Sequence, residues 1–458
     1  MEKENRIKKI GEVSKLEPFS KQEIPWKEKL ELMPVFKIPL AYLVYNKYNG
    51  RILSRTKSLE SQKHEIDVES EDGRRRIEKL LWESKPDRNK KTEESIEKYG
   101  QEKVGIITRD GIVIDGNRRV MLLNKLKKDY FKAVVLPVTL EEDPLEIEKL
   151  ETLYQMGEDE KLGYNPVEKY LKAKGLHQRK VSVDKIANWM GESETTVKEY
   201  LEVMKIMDDY LQYLQYDGIY TQLDGREDQF INLTKWIKKF ENVSRGSADA
   251  FDGYKSSDVD DLKMISFDYI RARYEGKKFR NIAYGRKESH FFGDEKIWKD
   301  FRDFHFEHVD PISDEEEKID YDSENLEAHL DARDDKFTKE SAKFLNENID
   351  THYQWLRNRQ AADEPAKLIN SAKRAIESID QKHKAFAEPE VMNEVLELNK
   401  MTTDMLIKTS PESLLDHIIY LLAKVNLNKK GKQPEKSLLD KVTLINKTTF
   451  DMKKELGG

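Results

Sequence analysis

Five consecutive residues, Asp115-Gly116-Asn117-Arg118-Arg119, carry the densest chemistry in the sequence. A β-rich run, Ile112-Val113-Ile114, leads into them, and a helical run, Val120-Met121-Leu122-Leu123, leads out. A helix opening at this point presents unpaired backbone N–H groups and the positive end of its dipole. Gly116 allows a tight turn and a close approach of backbone to ligand. Arg118 and Arg119 add two permanent cations, and the whole suits a phosphate. The same residues also fit a plain strand–turn–helix in which Asp115 caps the helix and the arginines are solvated. Asp115 is the candidate catalytic residue, placed to orient the arginines or to position a metal or a water.

Three further stretches bear on chemistry. Residues 182–203 fit a helix-turn-helix: Ile186, Ala187 and Met190 pack a first helix, Gly191 turns the chain, Val197 and Leu201 pack a second, and Ser193 suits its N-cap. Such a motif directs Ser193, Thr195, Thr196 and Lys198 toward DNA. Glu194, Glu199 and Glu202 oppose that contact by repelling phosphates. Just upstream, Lys161, Lys169, Lys172, Lys174, Arg179 and Lys180 are candidates to grip the DNA backbone. Residues 267–287 interleave Arg271, Arg273, Lys277, Lys278, Arg280, Arg286 and Lys287 with Phe267, Tyr269, Tyr274, Phe279 and Tyr284, against a single glutamate, Glu275. Cations that follow phosphates and rings that stack on bases serve nucleic-acid binding. An amphipathic helix with its rings in the core reads equally well. His305 and His308 have helical i, i+3 spacing beside Glu307 and Asp310, but no third ligand follows from it, and no metal site is assigned.

The elements needed to position these residues follow from pattern. Residues 1–34 read as an arm or peripheral helix. Residues 36–45 read as a strand, 64–73 as an inserted loop, 73–84 and 91–100 as helices, 104–115 as a hairpin about Asp110-Gly111, 118–128 as a helix and 133–140 as a strand. From Pro144 onward helices dominate. The expected divisions are an arm (1–34), an α/β domain (35–143), a helical domain with the helix-turn-helix (144–220), a basic-aromatic region (221–312), an acidic linker (313–335) and a C-terminal helical region (336–458). Trp355, Leu356 and the run Leu414 to Leu422 are core or interface candidates there, and residues 426–437 read as a flexible basic connector. The fold class is therefore α+β with a mostly α-helical C-terminal half.

Composition limits the chemistry. Among 458 residues there is no cysteine, so disulfides, thiolate metal sites and cysteine nucleophiles are excluded. Charged residues make up 37%, above the ~25% of ordinary soluble domains, which implies extensive solvated helix faces. The net charge of −7 disfavours a uniform electrostatic coat on nucleic acid but leaves room for a local basic surface. No apolar run approaches a membrane span, and the N-terminus lacks a secretory core, so a cytoplasmic, membrane-free protein is expected. No G-x-x-x-x-G-K-[ST] phosphate loop and no G-x-S-x-G motif occurs.

The order of IPLAYLVYNKYNGR, then Glu94-Ser95-Ile96 with Gly100, then VIDGNRRVMLLNKL and VVLP, resembles the ParB/sulfiredoxin-like N-terminal domain family. Asn165-Pro166-x-Glu168 resembles the N-P-x-E block that follows that domain in ParB, and the helix-turn-helix comes next, as it does there. The E-N-x-x-R core of the family is not reproduced: Gln155 stands nearest its Asn and Gly157 where its Arg falls. The resemblance spans roughly residues 35–220. It implies a nucleoside triphosphate, CTP or ATP, with Mg2+, held by Gly116, Asn117, Arg118 and Arg119, with Asn49 and Arg51 near the base or ribose and Asn165 and Glu168 contributing. It implies a ParB-like, nucleotide-dependent DNA-binding protein, with DNA as partner. A homodimer is also expected. The alternatives are a ParB/sulfiredoxin-like NTPase or nuclease acting in phage defence, with Asp115 in catalysis, and a non-enzymatic adaptor that recruits a protein partner through its C-terminal helices.

Overall fold

The structure is a computed structural model that describes residues 1–62, 65–157, 165–274, 277–314, 319, 326–360, 365–407, 411–425 and 436–455. Lys161, Glu275, residues 315–318 and 320–325 of the acidic run and residues 426–435 of the connector lie outside the described residues. The chain divides into two compact units, Met1–Asp363 and Glu364–Gly458. The first is mixed α+β, a small six-stranded sheet near the N-terminus followed by a mostly helical remainder.

The sheet is built from β1 (Ser20–Trp26), β2 (Lys29–Pro39), β3 (Val44–Tyr45), β4 (Gly105–Ile107), β5 (Ile112–Asp115) and β6 (Tyr130–Val135), in the order β1-β2-β6-β4-β5-β3. Pairs β1/β2, β2/β6 and β4/β5 are antiparallel, whereas β4/β6 and β3/β5 are parallel. Alternation of side chains gives the sheet two buried faces. Phe36, Ile38, Phe131 and Ala133 face a core shared with α1 (Lys3–Val13), α3 (Glu71–Ser84), α4 (Pro86–Tyr99) and α5 (Asn117–Lys125). Met33, Val35, Ile106 and Val134 face the other, against α6 (Pro144–Thr152). Helix α2 (Leu53–Ser61) leads from the β3 loop toward the helical part.

Two expectations change here. Residues 1–34 are not an arm; the alternative, a helix, holds for Lys3–Val13 alone. Ile10 of α1 is wholly buried, and the buried Arg6 donates to the Asp110 carbonyl at 2.5 Å and to Glu69 at 2.8 Å. Residues 20–34 form most of the β1–β2 hairpin. Its turn, Lys27-Glu28, has φ of 47° and 64° without the Asn or Gly that usually marks such a turn. The run 36–45 is not one strand either. β2 ends at Pro39, which has no N–H to donate, and a single 3₁₀ turn, Leu40–Tyr42, carries the chain to β3 at the opposite edge.

The helical part comprises α7 (Pro166–Gln178), α8 (Val183–Met190), α9 (Glu194–Tyr213), α10 (Glu227–Phe240), α11 (Ser256–Arg271), α12 (Glu295–His308), α13 (Asp310–Asp314) and α14 (Leu326–Gln360). Its aromatic core includes Tyr210, Phe230, Trp236, Phe267, Tyr269 and Trp298. The basic-aromatic stretch supplies this core instead of a stacking platform. Phe267, Tyr269 and Phe279 are buried, and Arg271 pairs with Asp334 at 2.9 Å and stacks over Phe337. Asp334 also pairs with Arg226 at 3.2 Å. The division expected at 335/336 therefore falls inside α14, whose Leu326, Leu330 and Asp334 are buried. Leu356, near the end of α14, belongs to the same core.

The second unit consists of α15 (Pro365–Glu377), α16 (Pro389–Ile407), α17 (Pro411–Lys424) and α18 (Lys436–Glu455). Helices α16 and α17 pack on each other.

Candidate functional site

β5 runs into Gly116, which has φ of 107° and precedes α5. A Cβ there would stand 2.6 Å from Phe131 Cζ, so glycine is required by both conformation and space. Gly105 is hemmed in by the same ring, at 2.1 Å. Above these glycines lies a cleft of about 530 Å³ lined by Asn49, Arg51, Asp115, Gly116, Asn117, Arg118 and Arg119, together with Gln22, Ile24, Thr92, Lys103, Tyr154 and Gln155. A second cleft of about 390 Å³ is lined by Arg51, Arg55, Lys85 and Arg118, by Asn165, and by Glu168, Asp224 and Glu227. Arg51 and Arg118 belong to both, so the two clefts adjoin.

The five loop residues divide their roles. Asn117 is buried and works inward, accepting from the Asn46 backbone N–H at 3.0 Å and donating to the Val113 carbonyl at 2.8 Å. Arg119 is drawn into the wall, donating to Asp115 at 2.5 Å and to the Lys103 carbonyl at 2.6 Å. Asp115 therefore has its charge matched by Arg119. Of the two arginines in this loop, Arg118 is the one that lines both clefts. Asn49 is buried and accepts from the Arg51 N–H at 3.2 Å, which shapes the loop that presents Arg51.

A buried polar chain holds this loop in place. The Gly50 N–H donates to Gln155 at 3.0 Å, and Gln155 and Asn46 each donate to Glu151 at 3.0 Å. Glu151 is held above the ordinary carboxylate range, chiefly by burial. Lys172 completes the chain at 3.1 Å. Tyr154 and Gln155 come from a π-helical turn, Leu153–Gly157, of the kind that often marks functional positions.

Asn165 and Glu168 work differently from a pair of ligand-binding side chains. Asn165 caps α7 by accepting from the Val167 N–H at 3.1 Å and donates to Asp224 at 2.7 Å. Glu168, buried, accepts from the Ser54 N–H at 3.0 Å and the Ser54 hydroxyl at 2.6 Å, closing the N-terminus of α2. Burial raises its carboxyl to about 7. Both residues nevertheless line the second cleft, where they join α7 to α2.

The sequence reading missed Lys85 and Arg88. The Lys85 ammonium is held below its ordinary range by burial and then by Arg88, Arg118 and Arg51, and Lys85 lines the second cleft with Arg51, Arg55 and Arg118. Lys85 and Arg88 sit at the start of α4, the positive end of that helix, where basic residues are disfavoured. That local conflict was the available signal. Tyr154, Lys103 and Arg55 left none.

The helix-turn-helix spacing corresponds to α8 and α9. Gly191 turns with φ of 69°, Ser193 accepts from the Thr196 N–H at 3.0 Å, and Ile186, Ala187, Met190 and Val197 share a small core. Ser193, Thr195 and Lys198 are exposed and Thr196 half-buried, with Lys198 paired to Glu194 at 3.7 Å. The expected flanking cations are largely engaged elsewhere. Lys172 is buried against Glu151 and Glu148, Lys174 is held by Asp208 at 2.7 Å, and Arg179 by Glu148 at 2.6 Å. Lys180 is exposed. Of the later group, Arg271 is buried, Lys278 pairs with Asp350 and Arg280 lies over Tyr284, while Arg273 and Lys277 are exposed.

Asp268, His305 and Asp310 place one ligand atom each within 4.8 Å of one another, enough to hold a divalent cation. Two of these groups also bond to each other: His305 Nε2 lies 3.0 Å from Asp268, which accepts from the Tyr213 hydroxyl at 3.2 Å, while the buried His305 Nδ1 has no hydrogen-bond partner. His308 stacks on Phe304 instead of joining them.

No family model matches the chain, and no curated protein matches its sequence.

Proposed function

We propose that the adjoining clefts bind a nucleoside triphosphate with Mg2+ and that this nucleotide controls how the helical part engages DNA, in the manner of ParB-like proteins. The observation that carries this reading is that Arg51 and Arg118 line both clefts, beside the Gly116 turn and the N-terminus of α5 in the first and with Arg55 and Lys85 in the second. Guanidinium and ammonium groups gathered beside a glycine turn and a helix N-terminus suit the phosphates of a polyanion. The larger cleft, with Tyr154, Ile24, Gln22 and Thr92, has room and mixed polarity for a nucleoside. CTP and ATP are the leading ligands. Mg2+ would be carried mainly by the phosphates, as is usual for that ion.

The link to DNA runs through α7. Its first turn touches the second cleft through Asn165 and Glu168, and α7 packs on α9, whose N-terminal turn presents Ser193, Thr195, Thr196 and Lys198. A nucleotide that contacts both sides of the Glu168–Ser54 joint has different contacts when the joint shifts, as a ligand-controlled equilibrium requires. The pairing of Asp115 with Arg119 favours a wall-forming role over catalysis for that aspartate.

Duplex binding followed by fluorescence anisotropy, with and without each of ATP, CTP, GTP and UTP, tests the coupling. One nucleotide should change the duplex affinity several-fold, and the duplex should change the affinity for that nucleotide by the same factor. Identical duplex isotherms in all conditions would defeat the reading.

A further inference from the structure

We propose that Asp268, His305 and Asp310 bind one divalent transition-metal ion, of the Zn2+ or Mn2+ class. This inference does not rest on the nucleotide reading, and none of the three residues lines either cleft. Helical spacing pairs His305 with His308, but the fold separates them. His308 turns to Phe304, with Nδ1 3.0 Å from its carbonyl and the two rings stacked. His305 is wholly buried and meets Asp268 of α11, 37 residues earlier. Asp310 opens α13, just past the end of α12 at Val309. Three helices thus contribute one ligand atom each, all within 4.8 Å of one another. The 3.0 Å between His305 Nε2 and Asp268 already suits two donors on one ion, since metal bonds of about 2.1 Å place neighbouring ligands roughly 3.0–3.5 Å apart.

Two observations point to an ion in addition to this geometry. The first is the orphaned nitrogen. His305 Nε2 is directed at Asp268, whereas the buried Nδ1 has no hydrogen-bond partner. Buried polar atoms are nearly always satisfied, and an orphan calls for an explanation such as an ion. A ring tied in through one nitrogen is under-used as a hydrogen-bonding group, but one nitrogen is all a metal ligand needs. The second is charge. Asp268 is 1% exposed, and among the described residues no Lys or Arg pairs with it; its partners are His305 and the Tyr213 hydroxyl. A buried carboxylate without a permanent cation is costly, and a divalent ion offsets that cost and lets Asp310 stand beside it. The Tyr213 hydroxyl lies 3.2 and 3.3 Å from the two Asp268 oxygens and orients the carboxylate, as partners of metal ligands do. Asp310 is half-buried, which gives the ion a way in and leaves water to complete its coordination. An imidazole in the set favours Zn2+ or Mn2+ over Mg2+ and Ca2+, which prefer oxygen alone.

The test uses the full chain, stripped with EDTA, exchanged into chelator-free buffer and kept free of nucleotide. Zn2+ is titrated in competition with a chromophoric chelator, and Mn2+ by the electron paramagnetic resonance of the free ion. One of these ions should bind saturably at one per chain, raise the melting temperature, and bind at least tenfold more tightly than Ca2+. Asp268→Asn and Asp310→Asn should each weaken it at least tenfold, and His308→Gln should leave it unchanged. Circular dichroism reports whether each variant folds, and Asp310→Asn, at a half-buried position, decides the matter if Asp268→Asn does not fold. Absence of stoichiometric binding by both ions, Ca2+ bound as tightly, undiminished binding in Asp310→Asn, or binding lost in His308→Gln would each overturn the inference.

Discussion

Arg118 touches both clefts and sits one residue into the helix opened by Gly116, so it is the side chain on which an anion there depends most. Gly116 is nearly as critical for a different reason. Gly116→Ala forces a side chain into positive φ and against Phe131, and should destabilise the first unit by about 2–4 kcal/mol, measurable as a shift in denaturant midpoint. Glu168 makes a pH prediction. Its folded value of about 7 lies above the ordinary 4.5, so the folded state holds this proton more tightly than the unfolded one. Its contribution is most favourable below about 4.5 and declines as the pH rises through 7, by on the order of 3 kcal/mol in total. Glu168→Gln should therefore gain stability relative to wild type at pH 8 and match it near pH 5; equal pH dependence of the two would refute the assignment. A polyanion in the second cleft should raise this carboxyl further. Calorimetry in buffers of different ionisation enthalpy should then show proton uptake at pH 7–8, absent in Glu168→Gln.

At the scale of elements, three pieces set the site: the β5–Gly116–α5 turn, the loop from Asn46 to Arg51, and the π-helical turn that carries Tyr154 and Gln155. The Ser193 cap fixes the first turn of α9. Ser193→Ala should cost about 1 kcal/mol of stability and weaken any duplex binding without altering nucleotide affinity. Much of this organisation was readable in the sequence, because it depends on local signals. Gly116 between a β-rich and a helical run, Gly100 after α4, Asp110-Gly111 in the hairpin and Gly191 between α8 and α9 all act within a few residues of themselves. The parts that were not readable depend on distant partners. Arg271 looks like a surface cation until Asp334, 63 residues away, is seen to hold it in the core. Lys172 looks like a phosphate grip until Glu151 is placed beside it. Lys85 joins Arg118 and Arg51 through the packing of α3 and α4 around α5, which no spacing encodes. The β1–β2 hairpin escaped because Lys27 and Glu28 adopt a backbone that neither residue advertises.

At the scale of the molecule, the first unit joins a six-stranded sheet to a helical body; the larger cleft lies among β1, β4, the β5–α5 turn and the π-helical turn, and the second among α2, α5 and α7. A ligand bound there stabilises the unit by linkage. At a hundredfold excess over its dissociation constant the gain should be about 2.7 kcal/mol, visible as a raised melting temperature in the wild type and lost in Arg118→Ala. The most direct measurement is calorimetric titration of the full chain with ATP, CTP, GTP and UTP in the presence of Mg2+, repeated with Arg118→Ala and Lys85→Ala. Saturable binding of one nucleotide, abolished by Arg118→Ala and weakened at least tenfold by Lys85→Ala, is the predicted result. Absence of binding by all four, or binding unchanged in both variants, would contradict the account.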